Sequence, residues 1–305
     1  MKHSIINSHF QVSIQQKGTE ISSIKSQKTG KEYMWNANPD IWGSHAPVLF
    51  PAIGSFKNGQ CTIDGKTYKV PKHGFIRNNE SIVLKSQTDT ELNFQLDYSE
   101  QTLEIYPYKF RFDIIFRLDK NKLIVSHKVT NLDDKTIYFH LGGHPGFKCP
   151  INEGENYSDY YLEFEHEENA ATTLLSANGL ISDDTKQILN NTNILPFTPN
   201  LFDNDALIFK DLKSRKVSLK SHKSNQILTV KFPDFNYLGI WAKPNAPFVC
   251  IEPWSCTIVG NIPVMNYFST SMGRVKLPPC LIQITEILFC HAMIIACIFE
   301  LSTMC

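Results

Sequence analysis

Across residues 1 to 250 apolar and polar side chains alternate at period two, in short runs broken by turn residues. A helix needs a period near 3.6, so this rhythm confines most of the chain to half-buried strands. Phe10-Gln-Val-Ser-Ile14 and Lys122-Leu-Ile-Val-Ser-His-Lys-Val-Thr130 show the alternation, and Phe110-Arg-Phe-Asp-Ile-Ile-Phe-Arg-Leu118 and Lys216-Val-Ser-Leu-Lys-Ser221 continue it. Gly59 to Val70 reads as a hairpin turning on Asp64-Gly65, since that dipeptide tolerates the positive φ of a two-residue turn. Aromatics make up 11% of the 305 residues, with twenty Phe, which favours packed sheet over disorder. No Pro/Gly/Ser-rich linker and no internal repeat divides the chain. One large antiparallel β-domain with few short helices is the economical reading. The polar stretch from Asn152 to Asn200 is expected to be a long loop with short strands such as Tyr160-Tyr-Leu-Glu-Phe164, of a kind that sometimes rims a ligand site.

Thirty basic residues balance thirty acidic ones. Without a basic excess to neutralise phosphates, nucleic acid is not the expected principal partner. The start, Met-Lys-His-Ser-Ile-Ile-Asn-Ser8, lacks the apolar run of a signal peptide. None of the eight cysteines forms a C-x-x-C pair, which argues against a zinc knuckle. Free thiols in a reducing cytoplasm are the expected state.

Four places carry candidate chemistry. In Phe248-Val-Cys-Ile-Glu-Pro-Trp254 a carboxylate interrupts a run of β-formers. Pro253 cannot donate to a ladder, so the strand is expected to end there, with Glu252 at its terminus. Glu252 is then either an edge glutamate facing water or a desolvated carboxylate with a raised pKa, suited to general-base work. In Pro71-Lys-His-Gly-Phe-Ile-Arg77, His73 precedes a glycine that permits close backbone approach, and Arg77 is a fixed cation able to fork onto oxygen ligands. By itself, His73 is more commonly a loop histidine bonded to a carbonyl.

Phe139-His-Leu-Gly-Gly-His-Pro-Gly-Phe147 places His144 at the mouth of a strand. His140 and His144 have the four-residue spacing of a helical metal site, but Gly142, Gly143 and Pro145 argue against a helix and hence against the metal. In Leu201-Phe-Asp-Asn-Asp-Ala-Leu-Ile-Phe209, Asp205 leads into an apolar strand, where an Asx turn is the commoner role.

Six motifs then occur in order: Ala46-Pro-Val-Leu-Phe-Pro-Ala-Ile-Gly54, His73-Gly-Phe-Ile-Arg77, Gly142-Gly-His-Pro-Gly-Phe147, Asn204-Asp-Ala-Leu-Ile-Phe209, Tyr237-Leu-Gly-Ile-Trp241 and Cys250-Ile-Glu-Pro-Trp254. The series resembles the aldose 1-epimerase (galactose mutarotase-like) family, in particular its LacX-type branch. The resemblance covers residues 1–254 and implies a single, mostly antiparallel β-supersandwich domain. It implies a free hexose as substrate, no cofactor or metal, and a monomer or homodimer away from membranes. Carried over by motif, Glu252 takes the anomeric hydroxyl proton and His144 protonates the ring oxygen. His73, Asp205 and Arg77 hold sugar hydroxyls, with Asp203 a near neighbour of Asp205. Trp241, Phe75 and Trp254 are candidates for stacking on apolar sugar faces. The alternatives are a hexose-6-phosphate mutarotase, with Arg77, Lys72 and Lys57 toward the phosphate, and an inactive sugar-binding module.

Two departures from the family pattern stand out. Ser55 sits where many relatives carry Arg, and residues 255–305 match nothing in the pattern. From Thr257 to Cys305 the only charged side chains are Arg274, Lys276, Glu286 and Glu300. The apolar run Ile287 to Phe299 has thirteen residues, short of the roughly 20 that cross a bilayer. The tail is expected to be a frameshift or misread coding product rather than a separate domain. It would leave the last strands missing or improvised and the activity impaired.

Overall fold

A computed structural model describes residues 1–255 and 292–303. Twenty strands occur among the described residues. In chain order they are β1 (Lys2–Ile6), β2 (Phe10–Gln15), β3 (Glu20–Ser26), β4 (Val48–Leu49), β5 (Gln60–Ile63), β6 (Lys66–Lys69) and β7 (Val83–Gln87). There follow β8 (Glu91–Asp97), β9 (Phe110–Asp119), β10 (Lys122–Asn131), β11 (Leu141–Gly143), β12 (Gly146–Lys148), β13 (Tyr160–Leu175) and β14 (Ile181–Pro196). The last are β15 (Leu207–Phe209), β16 (Lys216–Ser221), β17 (Gln226–Lys231), β18 (Tyr237–Trp241), β19 (Phe248–Ser255) and β20 (Ala292–Thr303). Among the described residues the one α-helical turn, Glu100–Leu103, is capped by Ser99, whose hydroxyl accepts from the Thr102 amide.

Two large sheets dominate. One has nine strands in the order β14-β13-β16-β17-β20-β10-β9-β8-β7. The other runs β15-β18-β19-β11-β4, with β12 also paired to β19. All the paired strands are antiparallel, as in the Phe112–Val129 and Gly239–Glu252 registers. Period-two burial is explicit on β9, where Phe110, Phe112, Ile114 and Phe116 turn inward. Phenylalanines fill the space between the sheets. Phe50, just after β4, stacks on Phe112 of β9 at 4.7 Å, and Phe147 of β12 meets Phe299 of β20 at 5.7 Å. Asp64 (φ 49°) and Gly65 (φ 78°) make the expected two-residue turn between β5 and β6.

The expected loop at Asn152–Asn200 is instead largely a long hairpin, β13 with β14. Its alternation is masked because β14 is the outer strand of the nine-stranded sheet and 183–187 are all exposed. Polar residues there meet water, and charge on an outer strand discourages edge-to-edge pairing. The register also shifts repeatedly along the hairpin, which breaks any strict period.

β20 lies between β17 and β10 in the middle of the large sheet. Cys297 and Phe299 face the core, and Glu300 pairs with Lys231 of β17 at 2.5 Å. The slot that the tail was expected to leave empty or improvised is filled by this strand. The remaining tail positions, Cys256, Cys280, Cys290 and Cys305 among them, lie outside the described residues, as does most of the segment on which the frameshift expectation rests. No helix among the described residues is long and apolar enough to cross a membrane.

Candidate active site

Glu252 is not at a strand end. β19 continues through Pro253 to Ser255, and the reason lies in its neighbour. On one side β19 pairs with β18 along its length; on the other its partner changes from β12 to β11. His144-Pro145 links those two short strands without changing the register. The Ile251 amide donates to the Pro145 carbonyl at 3.2 Å, so the Pro253 nitrogen, two residues on, points to the same side, toward Gly143 at the end of β11. Pro253 therefore drops one donor from the ladder while the pairing on both flanks carries the strand past it. That register sets Glu252 and His144 directly across from each other on one face.

His144 Nε2 and Glu252 Oε1 are 3.3 Å apart, with side-chain exposures of 12% and 2%. The His144 amide donates to the Pro47 carbonyl at 2.9 Å, tying this residue to the segment before β4. Trp42 stacks on the imidazole at 5.0 Å and Trp241 meets it edge-on at 5.7 Å. Gly146 makes room for this packing, since a Cβ there would lie 2.8 Å from the Trp42 ring. Burial pushes His144 down to about 3, with Arg77 and Lys72 acting in the same direction. Burial raises Glu252 well above the usual carboxylate range, and the Asp205 charge adds to it.

His73 is held in the left-handed region, at φ 65°. Its amide donates to the Gly54 carbonyl at 2.8 Å, and its Nδ1 accepts from the Gly54 amide at 3.1 Å. An accepting Nδ1 fixes the neutral tautomer with its proton on Nε2. Burial, then the neighbouring His144, Lys72 and Arg77, keep this ring well below the normal histidine range. Gly74 follows at φ +72°, and a Cβ there would lie 2.0 Å from the Phe50 carbonyl oxygen. The backbone crossing that places His73 therefore admits only glycine after it.

These groups line a cavity of about 550 Å³, within the size range of small-molecule sites. Asp205 stands on its rim at φ 71°, its Oδ1 accepting from the Ala206 amide at 2.8 Å. Asp205 thus has a place at the cavity, while its own carboxylate bonds the next amide rather than closing the expected Asx turn. Asp203 lines the cavity as well. Arg77 lines it from the turn Ile76–Asn78, with Nη2 donating to Ser44 Oγ at 3.3 Å. All five residues singled out by motif converge here, together with Lys72 and the rings of Trp241 and Trp254. Phe75 does not: it packs on Phe50 and Phe110 in the core, each at 6.2 Å. Leu175, Gly179 and Ile181, around the tip of the β13–β14 hairpin, rim the opening. Trp42 had no motif to announce it, being an isolated aromatic in a segment without period.

The family model described as Aldose 1-epimerase matches residues 1–259. The plasmid and chromosomal LacX proteins of Lactococcus lactis subsp. lactis are each 35% identical over 258 residues, covering 82% of this chain and 86% of theirs. A galactose mutarotase related enzyme from Lactobacillus acidophilus superposes with a TM-score of 0.87 at 32% identity, over 99% of this chain and 98% of its own. A galactose mutarotase-like protein from Lactobacillus casei gives 0.87 at 26% identity, over 99% and 100%.

Proposed function

The chain belongs to the aldose 1-epimerase family, and from that premise we propose that it interconverts the α and β anomers of a free hexose by proton transfer at Glu252 and His144. The observation that carries this reading is the buried 3.3 Å approach of the two side chains at one wall of the cavity. Mutarotation needs one proton removed and one supplied, and it needs no redox partner.

The pair holds one exchangeable proton between two groups of opposed tendency, burial raising the acid and lowering the base. Such a dyad titrates as a unit. In its charged form Glu252 is the carboxylate and His144 the imidazolium. Glu252 takes the proton of the anomeric hydroxyl, the C1–O5 bond breaks, C1 becomes an aldehyde carbon, and O5 receives the His144 proton. The dyad is then in its neutral form, with the proton count of enzyme plus sugar unchanged. Rotation about C1–C2 presents the other carbonyl face, and the reverse transfers close the ring as the other anomer. The charged form is costly in a dry site, and sugar hydroxyls bonded to the carboxylate would favour it. His73 Nε2–H is a donor for a sugar oxygen, Asp205 an acceptor for a hydroxyl, and Trp241 a platform for an apolar ring face.

The charges at the cavity support a neutral sugar over a sugar phosphate. Lys72 and Arg77 stand at it with Asp203, Asp205 and Glu252, so a dianion would meet carboxylates alongside its two cations. The four described cysteines are free and buried, consistent with work in a reducing cytoplasm. Polarimetry of freshly dissolved α-glucose and α-galactose tests the activity: catalysed decay of rotation supports the enzyme, whereas binding without acceleration identifies an inactive sugar-binding module.

A further inference from the structure

Cys250 takes no part in the chemistry above, yet it stands two residues before Glu252 on the same face of β19 and is fully buried. Its sulfur, a ring nitrogen of His144 and a carboxylate oxygen of Glu252 all lie within 4.8 Å of one another. A tetrahedral ion bound at about 2.0–2.3 Å holds such donors roughly 3.3–3.8 Å apart. The His144–Glu252 separation of 3.3 Å already meets that spacing. Three protein donors leave a fourth position, and the cavity bordered by His144 and Glu252 supplies both that position and an entry path. The thiol and imidazole select among cations: they suit zinc and cadmium, while magnesium and calcium prefer all-oxygen shells.

We propose that Cys250, His144 and Glu252 form a binding site for a soft divalent cation of the zinc or cadmium class, and that the bound ion inhibits the enzyme. The inhibitory half rests on the mutarotase reading; the binding half stands on the donor geometry alone. On binding, the thiol proton leaves to solvent, as does the carboxyl proton where Glu252 carries one, and no electron is transferred. The ion then takes the His144 Nε2 lone pair and a Glu252 oxygen, the two atoms that exchange protons with the sugar. Metal and productive substrate therefore exclude each other at the dyad, and saturating hexose should protect.

The test titrates Zn2+, Cd2+ and Mg2+ against wild type and Cys250→Ser in buffer free of chelators and added thiols. Mutarotation and the ultraviolet charge-transfer absorption of cadmium thiolate are both followed. Zn2+ and Cd2+ are expected to inhibit wild type, and Cd2+ to produce the band. Cys250→Ser should keep its basal turnover, lack the Cys250 part of the band and need at least ~100-fold more metal. Mg2+ should affect neither protein. Equal metal sensitivity in the two proteins, or an identical cadmium band, would overturn the site. Should the serine variant not fold, Cys250→Ala replaces it, and a wild type that gives no cadmium band refutes the proposal without any variant. If neither protein turns over sugar, the activity reading fails, and the band difference still decides whether the metal binds.

Discussion

Replacing Glu252 with Gln isolates the proton-transfer role from the structural one. The amide has nearly the shape of the carboxyl group, and at 3.3 Å from His144 Nε2 it can donate a hydrogen bond to the ring. It cannot take a proton from an anomeric hydroxyl. Glu252 is 1% exposed, so bulk water does not replace it, and the cavity's other carboxylates, Asp203 and Asp205, are solvent-exposed at its rim. Losing one positioned acid–base group is worth about 10²–10⁴-fold, or roughly 2.7–5.5 kcal/mol of barrier. The expected result by polarimetry, after subtraction of the spontaneous rate, is a fall of that size in kcat with KM changed only a few-fold.

Stability supplies the control. Because Glu252 is raised above its unfolded value, the native state holds its proton more tightly than the unfolded chain. Its stabilising contribution is complete below the unfolded carboxyl pKa and is lost as pH rises toward the folded value. An amide does not titrate in this range, so Glu252→Gln should gain on wild type in urea midpoint as pH increases. A variant that folds and retains wild-type turnover would refute the general-base assignment.

The other expectations concern neighbouring parts of the fold. Burial lowers His140 to about 4, so the unfolded chain takes up its proton first on acidification. The stabilisation present above the unfolded value of 6.5 is therefore lost as pH falls toward 4, by up to about 1.4 kcal/mol per pH unit. His140→Gln should flatten that part of the urea-midpoint profile, whatever its cost at neutral pH. Gly74→Ala forces a Cβ to 2.0 Å from Phe50 O at positive φ; backbone strain alone costs roughly 1–3 kcal/mol, and the melting temperature should drop. Phe299→Ala removes a buried ring seated on Phe147 and should cost about 3–5 kcal/mol in denaturant unfolding.

Much of this arrangement is legible in the residues because the signals are local. Period-two burial on β9 and β10, the Asp64-Gly65 turn and the glycine after His73 are each dictated within a few positions. What was hidden depends on distant partners. Pro253 looked like a strand terminator, since the sequence around it cannot show the flanking strands, β18 on one side and β12 then β11 on the other, that hold β19 extended past it. The β13–β14 hairpin looked like loop because one of its strands faces water. Trp42 joins the site by stacking on a ring a hundred residues away, and nothing beside it in the chain marks that contact.

The atypical tail bears on the site by the same long-range logic. The family match ends at residue 259, yet β20 sits at the centre of the nine-stranded sheet. Without a strand there, β10 and β17 would both become open edges, each offering unpaired backbone groups to other chains. What such a slot requires is little: backbone partners, apolar side chains inward and a polar residue that tolerates the other face. Cys297 and Phe299 meet the second demand and Glu300, paired with Lys231, the third. Cys297 and Phe299 also border a void of about 30 Å³ that reaches His144 and Pro145 from behind. β20 thus packs beside His144 and Pro145, the residues that stand across from Glu252 and Ile251 of β19. A tail strand that supplies this backing is therefore compatible with an active dyad, even where its sequence departs from the family pattern.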